Sequence, residues 1–500
     1  MTVQGTLGTE VVRPSAATIE SLSPDGTSIA HRAKTSRWPL VAIVFIASDI
    51  LLALTLWQPA LVVQAVLGRG PLSGISLASM VPIMVVWVGV RAVFGLYPGY
   101  GMNHAEELRR QTLALLATVA IAVVFAFASA ISDSLSRALI LAWSLGLLLL
   151  APVARYFVKR AMMKVGLWGK PVVVLGARGT GAHVLRVMRS EWHLGFKPVA
   201  VFDNRLAPTG GVLEGVPYGG TLKDAPVLAQ RFGVDTAVFA MPYTRRDHLV
   251  RFVDSVRGSF RQVIVIPDLA GITNSAVVAR DLAGTFGVEI RYNLLNPWAQ
   301  RTKRVLDVGA TMLGGILILP LLLMLSLLVL AESGRPVFYA DRRMGRDGKL
   351  FSCVKFRTMV PDAEAKLQRI LAEDVRLREE YTKYHKLRHD PRVTRVGHFL
   401  RKTSLDELPQ LWNVLRGEMS LVGPRPYLPR ESADIGSTQS EILRVTPGIT
   451  GPWQVAGRNH TSFEERVGMD AHYVRDWSVW IDLVLLARTF YSLLRSRDAY

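Results

Sequence analysis

The sequence predicts a membrane protein of mixed class. It has an N-terminal four-helix transmembrane bundle, a Rossmann-like α/β middle domain and an α-rich C-terminal domain with a re-entrant membrane helix. Three observations carry this. Four apolar runs fall within residues 37–160, each near the roughly 20 residues that cross a bilayer. Residues 161–298 alternate short β-branched runs with helical patterns. Residues 299–500 open on a long apolar run, within 305–331, that has basic residues on both sides.

Five hundred residues are too many for one core. Residues 1–36 are polar, with Pro, Ser and Thr, and are expected to form a disordered cytoplasmic tail. The first apolar run starts at Trp38, too late for a cleaved signal peptide. Lys and Arg outnumber Asp and Glu by 59 to 40, a net charge of +19. That surplus fits nucleic acid, an anionic membrane or phosphate-bearing substrates. The basic clusters stand beside apolar runs and no aromatic-interleaved basic motif occurs, so membrane lipids and phosphates are expected, and no nucleic acid. The single cysteine, Cys353, excludes a disulfide framework and a cysteine-cluster metal site.

The four runs cover residues 38–57, about 76–95, about 112–131 and about 136–154. Asp49 lies inside the first, and an acid at that depth needs a partner or an interface. His31, Arg32, Lys34 and Arg37 precede the first run; Arg109 and Arg110 stand between the second and third; Arg155, Lys159, Arg160 and Lys164 follow the fourth. Positive loops mark the cytoplasmic side, so the N-terminus and everything after residue 155 belong there.

In the middle domain, Val172–Leu175, Val199–Phe202, Val234–Ala240 and Gln262–Pro267 read as strands. The turn Gly176-Ala-Arg-Gly179-Thr-Gly181 opens a helix, and Asp203 lies where a ribose-binding acid would. The glycine spacing departs from Gly-x-Gly-x-x-Gly, so a plain strand-to-helix turn explains it as well as a nucleotide does.

Residues 308–331 carry no charge and make roughly 36 Å of helix. Lys303 and Arg304 precede them; Arg335, Arg342 and Arg343 follow. Charge on both sides favours a helix that dips into one leaflet and returns, bent at Pro320, over a fifth span.

The chemistry is centred on Thr403–Pro426. Asp406 and Glu407 are adjacent there, with Arg401, Lys402, Arg416 and Arg425 close by. Leu405, Leu408, Leu411, Trp412 and Leu415 recur at helical spacing, so one amphipathic helix is expected to carry the acids, with Pro409 in its first turn. Ser404 is a candidate N-cap with Glu407 as its capping-box partner, the bland alternative to a catalytic role. An acid pair, arginines in turn-rich loops and a membrane dip point to phosphate chemistry at a bilayer interface. A carboxylate can attack phosphorus, and Mg²⁺ would neutralise a diphosphate. Residues 463–476 and 479–494 read as a charged helix holding Asp470 and a membrane-surface helix.

Four motifs, in order, are Lys355-Phe-Arg-Thr-Met, Ser404-Leu-Asp-Glu-Leu-Pro-Gln-Leu-Trp-Asn-Val, Met419-Ser-Leu-Val-Gly-Pro-Arg-Pro and Pro447-Gly-Ile-Thr-Gly. Together they resemble the bacterial polyprenyl-phosphate sugar-1-phosphate transferases over about residues 300–500. The whole plan is similar to the large undecaprenyl-phosphate galactose and glucose phosphotransferases. The resemblance implies transfer of sugar 1-phosphate from a UDP-sugar to undecaprenyl phosphate, releasing UMP, at the bacterial inner membrane and on its cytoplasmic side. It implies the first membrane step of O-antigen, capsule or exopolysaccharide synthesis, and a homodimer. By motif, Asp406 is the nucleophile that forms a covalent phosphosugar and Glu407 is a Mg²⁺ ligand. Lys355, Arg357, Arg401, Arg425, Arg458 and Asp470 become substrate-binding candidates, and Pro320 the helix breaker. Leu319 departs from the serine that small members often place before that proline. A membrane-anchored dehydratase or epimerase would need a Tyr-x-x-x-Lys pair, which the chain lacks. A non-catalytic scaffold for polysaccharide assembly would not need the acid pair.

Overall fold

The computed structural model describes residues 38–67, 80–128, 137–204, 211–241, 259–266, 277–282, 285–290, 293–374, 377–379, 390–456 and 461–495. The predicted tail, the start of the second apolar run, the end of the third and Arg458 lie outside them. The chain divides into two compact units, Met1–Gly271 and Ile272–Tyr500.

The first unit opens with four helices: α1 (Trp38–Leu67), α2 (Met80–Val93), α3 (His104–Ala128) and α4 (Arg137–Lys164). Their shared core holds Trp57, Trp87, Leu115, Trp143 and Leu147. Trp38–Val63 and Leu139–Lys164 are long and apolar enough to cross a membrane. As described, α2 is shorter, and α3 begins with Glu106 and Glu107 in its first turn. Asp49 finds the partner it needs: Arg91 lies 2.9 Å away and the Tyr97 hydroxyl donates to it at 2.6 Å. Arg155 and Lys159 correct the loop reading of those charges. The fourth helix runs on to Lys164, which turns both side chains inward onto Glu107, at 2.5 and 2.7 Å. Buried cations are tolerated when a carboxylate faces them.

The α/β part follows with β1 (Lys170–Leu175), α5 (Gly179–Ser190), β2 (Phe196–Phe202), β3 (Val212–Leu213), β4 (Val216–Gly220), α6 (Ala225–Phe232), β5 (Thr236–Phe239) and β6 (Gln262–Val265). The strands line up as β3-β4-β2-β1-β5-β6, parallel except for the β3–β4 pair. The central strands are buried on both faces, which is why they read as unbroken β-branched runs rather than alternating ones.

The second unit contains the hairpin β7 (Val277–Leu282) and β8 (Thr285–Ile290), then α7 (Pro297–Ser333). A second hairpin pairs β9 (Phe338–Met344) with β10 (Leu350–Phe356). After it come α8 (Ala363–Glu373), α9 (Arg395–Thr403), α10 (Gln410–Arg416), β11 (Ser420–Val422) and β12 (Gly448–Thr450), the last two paired in parallel. The unit closes with α11 (Phe463–Asp476) and α12 (Val479–Arg495).

α7 starts where Asn296 accepts from the Trp298 amide at 2.9 Å and Pro297 takes the first turn. The helix continues through Pro320, where the sequence pattern places a break. Both ends are tied to the same unit. Near the start, Lys303 donates to Asp482 at 2.6 Å and Asp307 accepts from Ser420 at 2.6 Å. Near the end, Glu332 accepts the Arg395 and Val396 amides at 2.9 Å each, and Leu325 and Val329 pack on Phe356 and Leu400. Between these anchors, Met312, Leu313, Ile316, Leu317 and Leu319 are exposed.

Candidate active site

The acid pair does not sit on the amphipathic helix that the leucine spacing predicts. α9 ends at Thr403, Ser404 takes a left-handed conformation (φ +55°), and Leu405–Glu407 form one 3-10 turn. α10 begins only after Pro409. The proline has no amide hydrogen and a fixed φ, so it starts a helix rather than continuing one. Ser404 caps nothing through its side chain, so the capping-box reading of Glu407 fails as well.

Glu407 instead accepts from the Lys355 ammonium at 2.7 Å. Leu405 and Leu408 pack against the α7 cluster of Leu325 and Val329. Asn413, on the first turns of α10, joins the acid turn to β10. It accepts the Val354 amide at 3.1 Å and donates to the Ser352 carbonyl at 2.8 Å. A side-chain amide thus takes the place of a neighbouring strand along β10, which fixes Lys355 relative to the acids. Arg401 donates to the Thr358 hydroxyl at 2.9 Å.

Burial and then the Glu407 charge raise the Asp406 carboxyl, Lys355 and Arg401 hold it down, and the balance leaves it at about 6. Burial works against the Lys355 ammonium, yet Glu407 and then Asp406 bring the net shift upward, so it stays charged. Asp406, Glu407, Lys355 and Arg401 therefore form one group.

Arg425 and Asp470 belong to a second group. Asp470 is fully buried and accepts from the Arg425 amide at 3.0 Å and the Tyr427 hydroxyl at 2.8 Å. Through these two bonds it holds the Gly423–Tyr427 turn in place. The Arg425 guanidinium stacks over Trp453 at 5.0 Å, and Arg466 lies 5.0 Å from the same ring. Arg357 keeps one buried guanidinium nitrogen that meets no hydrogen-bond partner among the described residues. Arg343, Tyr427, Trp453 and Arg466 were not legible as site residues. The available signal was the period-2 alternation of β9, which puts Asp341 and Arg343 on the face of the hairpin that carries Cys353 and Lys355.

Residues 298–496 match the family model described as bacterial sugar transferase, and residues 92–267 match one described as a CoA-binding domain. A "UDP-galactose-lipid carrier transferase" of Erwinia amylovora is 37% identical over 368 residues, 72% of this chain and 76% of that protein. The chain belongs to the bacterial sugar transferases. It is also similar to an "Undecaprenyl-phosphate galactose phosphotransferase" of Salmonella typhimurium, at 35% identity over 71% of this chain and 74% of the relative. A Komagataeibacter xylinus "Undecaprenyl-phosphate glucose phosphotransferase" is 30% identical over 66% of this chain and 60% of its own length. As a member of this family the protein is a membrane enzyme that transfers a sugar phosphate.

The middle domain's glycine turn does not fit a nucleotide held by Asp203. That carboxylate is buried and accepts the Ala177 amide of the turn itself at 2.9 Å. A Cβ at Gly176 would strike Met241 and the Ala240 carbonyl, and one at Gly181 the Gly176 carbonyl. Close packing accounts for both glycines.

The acid turn does fit Mg²⁺. Glu407 uses one oxygen for Lys355, and among the described residues nothing bonds the other. No group of three or more candidate ligand side chains occurs among the described residues. Mg²⁺ is commonly held by one or two carboxylates with substrate phosphates and water.

Proposed function

We propose that the enzyme transfers sugar 1-phosphate from a UDP-sugar to undecaprenyl phosphate through a covalent intermediate on Asp406. The observation that carries this is Asp406 itself, half-buried on a rigid turn and flanked by Lys355, Arg401 and Glu407. A carboxylate oxygen attacks the phosphorus that bears the sugar. The phosphoanhydride bond breaks, and UMP leaves with the electron pair. An oxygen of undecaprenyl phosphate then attacks the same phosphorus, the acyl-phosphate bond breaks, and the Asp406 carboxylate is regenerated. Lys355 and Arg401 offset charge on the phosphates during both displacements. Glu407 would hold Mg²⁺, which supplies further charge neutralisation. The Erwinia and Salmonella relatives' names favour galactose as the sugar and the Komagataeibacter name makes glucose the next choice.

The same reading makes α7 a re-entrant helix bent at Pro320, in the inner membrane, with its unit on the cytoplasmic side. Its support is that one unit grips both ends of the helix while the apolar middle stands free. A straight 37-residue helix would run about 55 Å and carry its far end across the bilayer. The four helices of the first unit are the other membrane element.

The test is UMP release from UDP-galactose, UDP-glucose and their N-acetylated counterparts by purified protein and its Asp406→Asn variant. One donor should yield UMP with the native protein and none with the variant. Equal release from both would remove Asp406 from the chemistry.

A further inference from the structure

The acid turn sits among elements too short to hold their own shape. The turn has three residues, the preceding α9 nine and the following α10 seven. A helix alone in water needs roughly 12 to 15 residues to be even marginally stable. Ser404, between α9 and the turn, keeps a φ of +55°. A residue with a side chain stays in that conformation only where its surroundings impose it. With 37 residues, α7 supplies such surroundings on both flanks of the turn.

On the downstream flank the grip is Arg304, near the start of α7. Its two terminal nitrogens donate to the Val414 carbonyl and, at 2.8 Å, to the Leu415 carbonyl, in the last turn of α10. The last carbonyls of a helix lack partners within it and carry the negative end of its dipole, so a forked cation fits there. One turn further along α7, Asp307 accepts from the Ser420 hydroxyl at 2.6 Å and fastens the chain where it leaves α10 for β11. On the upstream flank the grip is Glu332, near the end of α7. Its two oxygens accept the Arg395 and Val396 amides at 2.9 Å each, and Thr394 accepts the Gly397 amide at 2.9 Å. The first three amides of α9 are thus all satisfied. Between the grips, Leu325 and Val329 pack beneath Leu400, Leu405 and Leu408.

We infer that Arg304 and Glu332 are positioning residues for Asp406: from the two ends of α7 they clamp α10 and α9, and so set where the carboxylate between them points. This rests on the reading above that Asp406 takes the sugar phosphate. Neither residue touches substrate. An in-line displacement needs the attacking oxygen close to phosphorus and aligned with the leaving group, and a misplacement of about 1 Å can cost about a hundredfold in rate. The clamp therefore acts on the rate of bond making and leaves donor affinity to other groups.

The experiment uses the full-length protein in detergent and takes two readings. Amide hydrogen exchange of Leu405–Leu408 reports the turn itself, apart from turnover. The single-turnover rate constant for sugar phosphate arriving on the protein from a UDP-sugar reports the chemistry, and it does not depend on how much of the sample is folded. Arg304→Met should speed exchange at the turn, leave exchange along β9 and β10 unchanged, and lower the rate constant by about tenfold or more, with KM for the donor within about twofold of native. Arg304→Lys keeps a cation at the helix end and should recover most of the loss. Glu332→Gln keeps one acceptor oxygen and should fall between native and Glu332→Ala. Arg301→Gln, on an exposed position of the same helix, should change neither reading. Native exchange at the turn in both Arg304→Met and Glu332→Ala, or faster exchange with an unchanged rate constant, would overturn the positioning role. Faster exchange confined to the turn, in a protein that takes no sugar phosphate from any donor, would support the clamp and remove the phosphosugar reading instead.

Discussion

Asp406 and Glu407 are neighbours in sequence with different surroundings. Glu407 is bound to Lys355, while Asp406 is raised to about 6 by burial and by the Glu407 charge. Attack needs the carboxylate. Activity should therefore be full above that value and fall as pH drops through it. Lys355→Met removes a cation that favours the carboxylate, so the midpoint of kcat/KM against pH should move upward; an unmoved midpoint would mean that another group titrates. Cys353 gives a second residue-scale prediction. Burial pushes its thiol up to about 11, so little thiolate exists at pH 8. A maleimide should modify it only after denaturation, and rapid labelling of native protein would contradict its burial. At this scale the sequence made the acid pair and its basic neighbours legible, because they are contiguous. Asp470 was legible as an acid but not in its role, since only the fold brings it to Arg425 and Tyr427 from 43 to 45 residues away.

The elements divide by how local their causes are. The β1–β2–β5–β6 strands and α11 follow from β-branched runs and a Ser462–Glu465 capping box, and their positions agree with the sequence pattern. The helix predicted across the acid pair fails because leucine spacing registers burial, not backbone. Leu405 and Leu408 are partly buried from a 3-10 turn as well as they would be from a helix. The β9–β10 hairpin was hidden because basic residues interrupt its alternation. The start of α7 is held by Lys303, which Asp482 receives together with the Tyr473 hydroxyl and the Trp477 indole, at 2.6, 2.6 and 3.1 Å. Asp482→Ala leaves the Lys303 charge buried without that carboxylate and should cost about 3 kcal/mol. The melting midpoint in detergent should fall clearly; no change would mean that Asp307, 3.9 Å from Lys303, suffices.

For the whole molecule, the class of membrane protein with an α/β middle domain was legible from runs and periodicity. The internal pairing of Arg155 and Lys159 with Glu107 was not, because charge counting cannot separate a loop from a helix end. Topology is the prediction at this scale. A cysteine introduced at an exposed position such as Lys349, with Cys353 shielded, should label only from the cytoplasmic side; labelling from outside would make α7 a fifth span. The central claim, that Asp406 carries the sugar phosphate, is tested most directly by trapping. Purified protein mixed with UDP-sugar labelled in its sugar-linked phosphate, without undecaprenyl phosphate, should retain one label per active chain and release it when the lipid is added. Asp406→Asn should retain none. Product formation with no label on the native protein, or label retained by Asp406→Asn, would contradict the account.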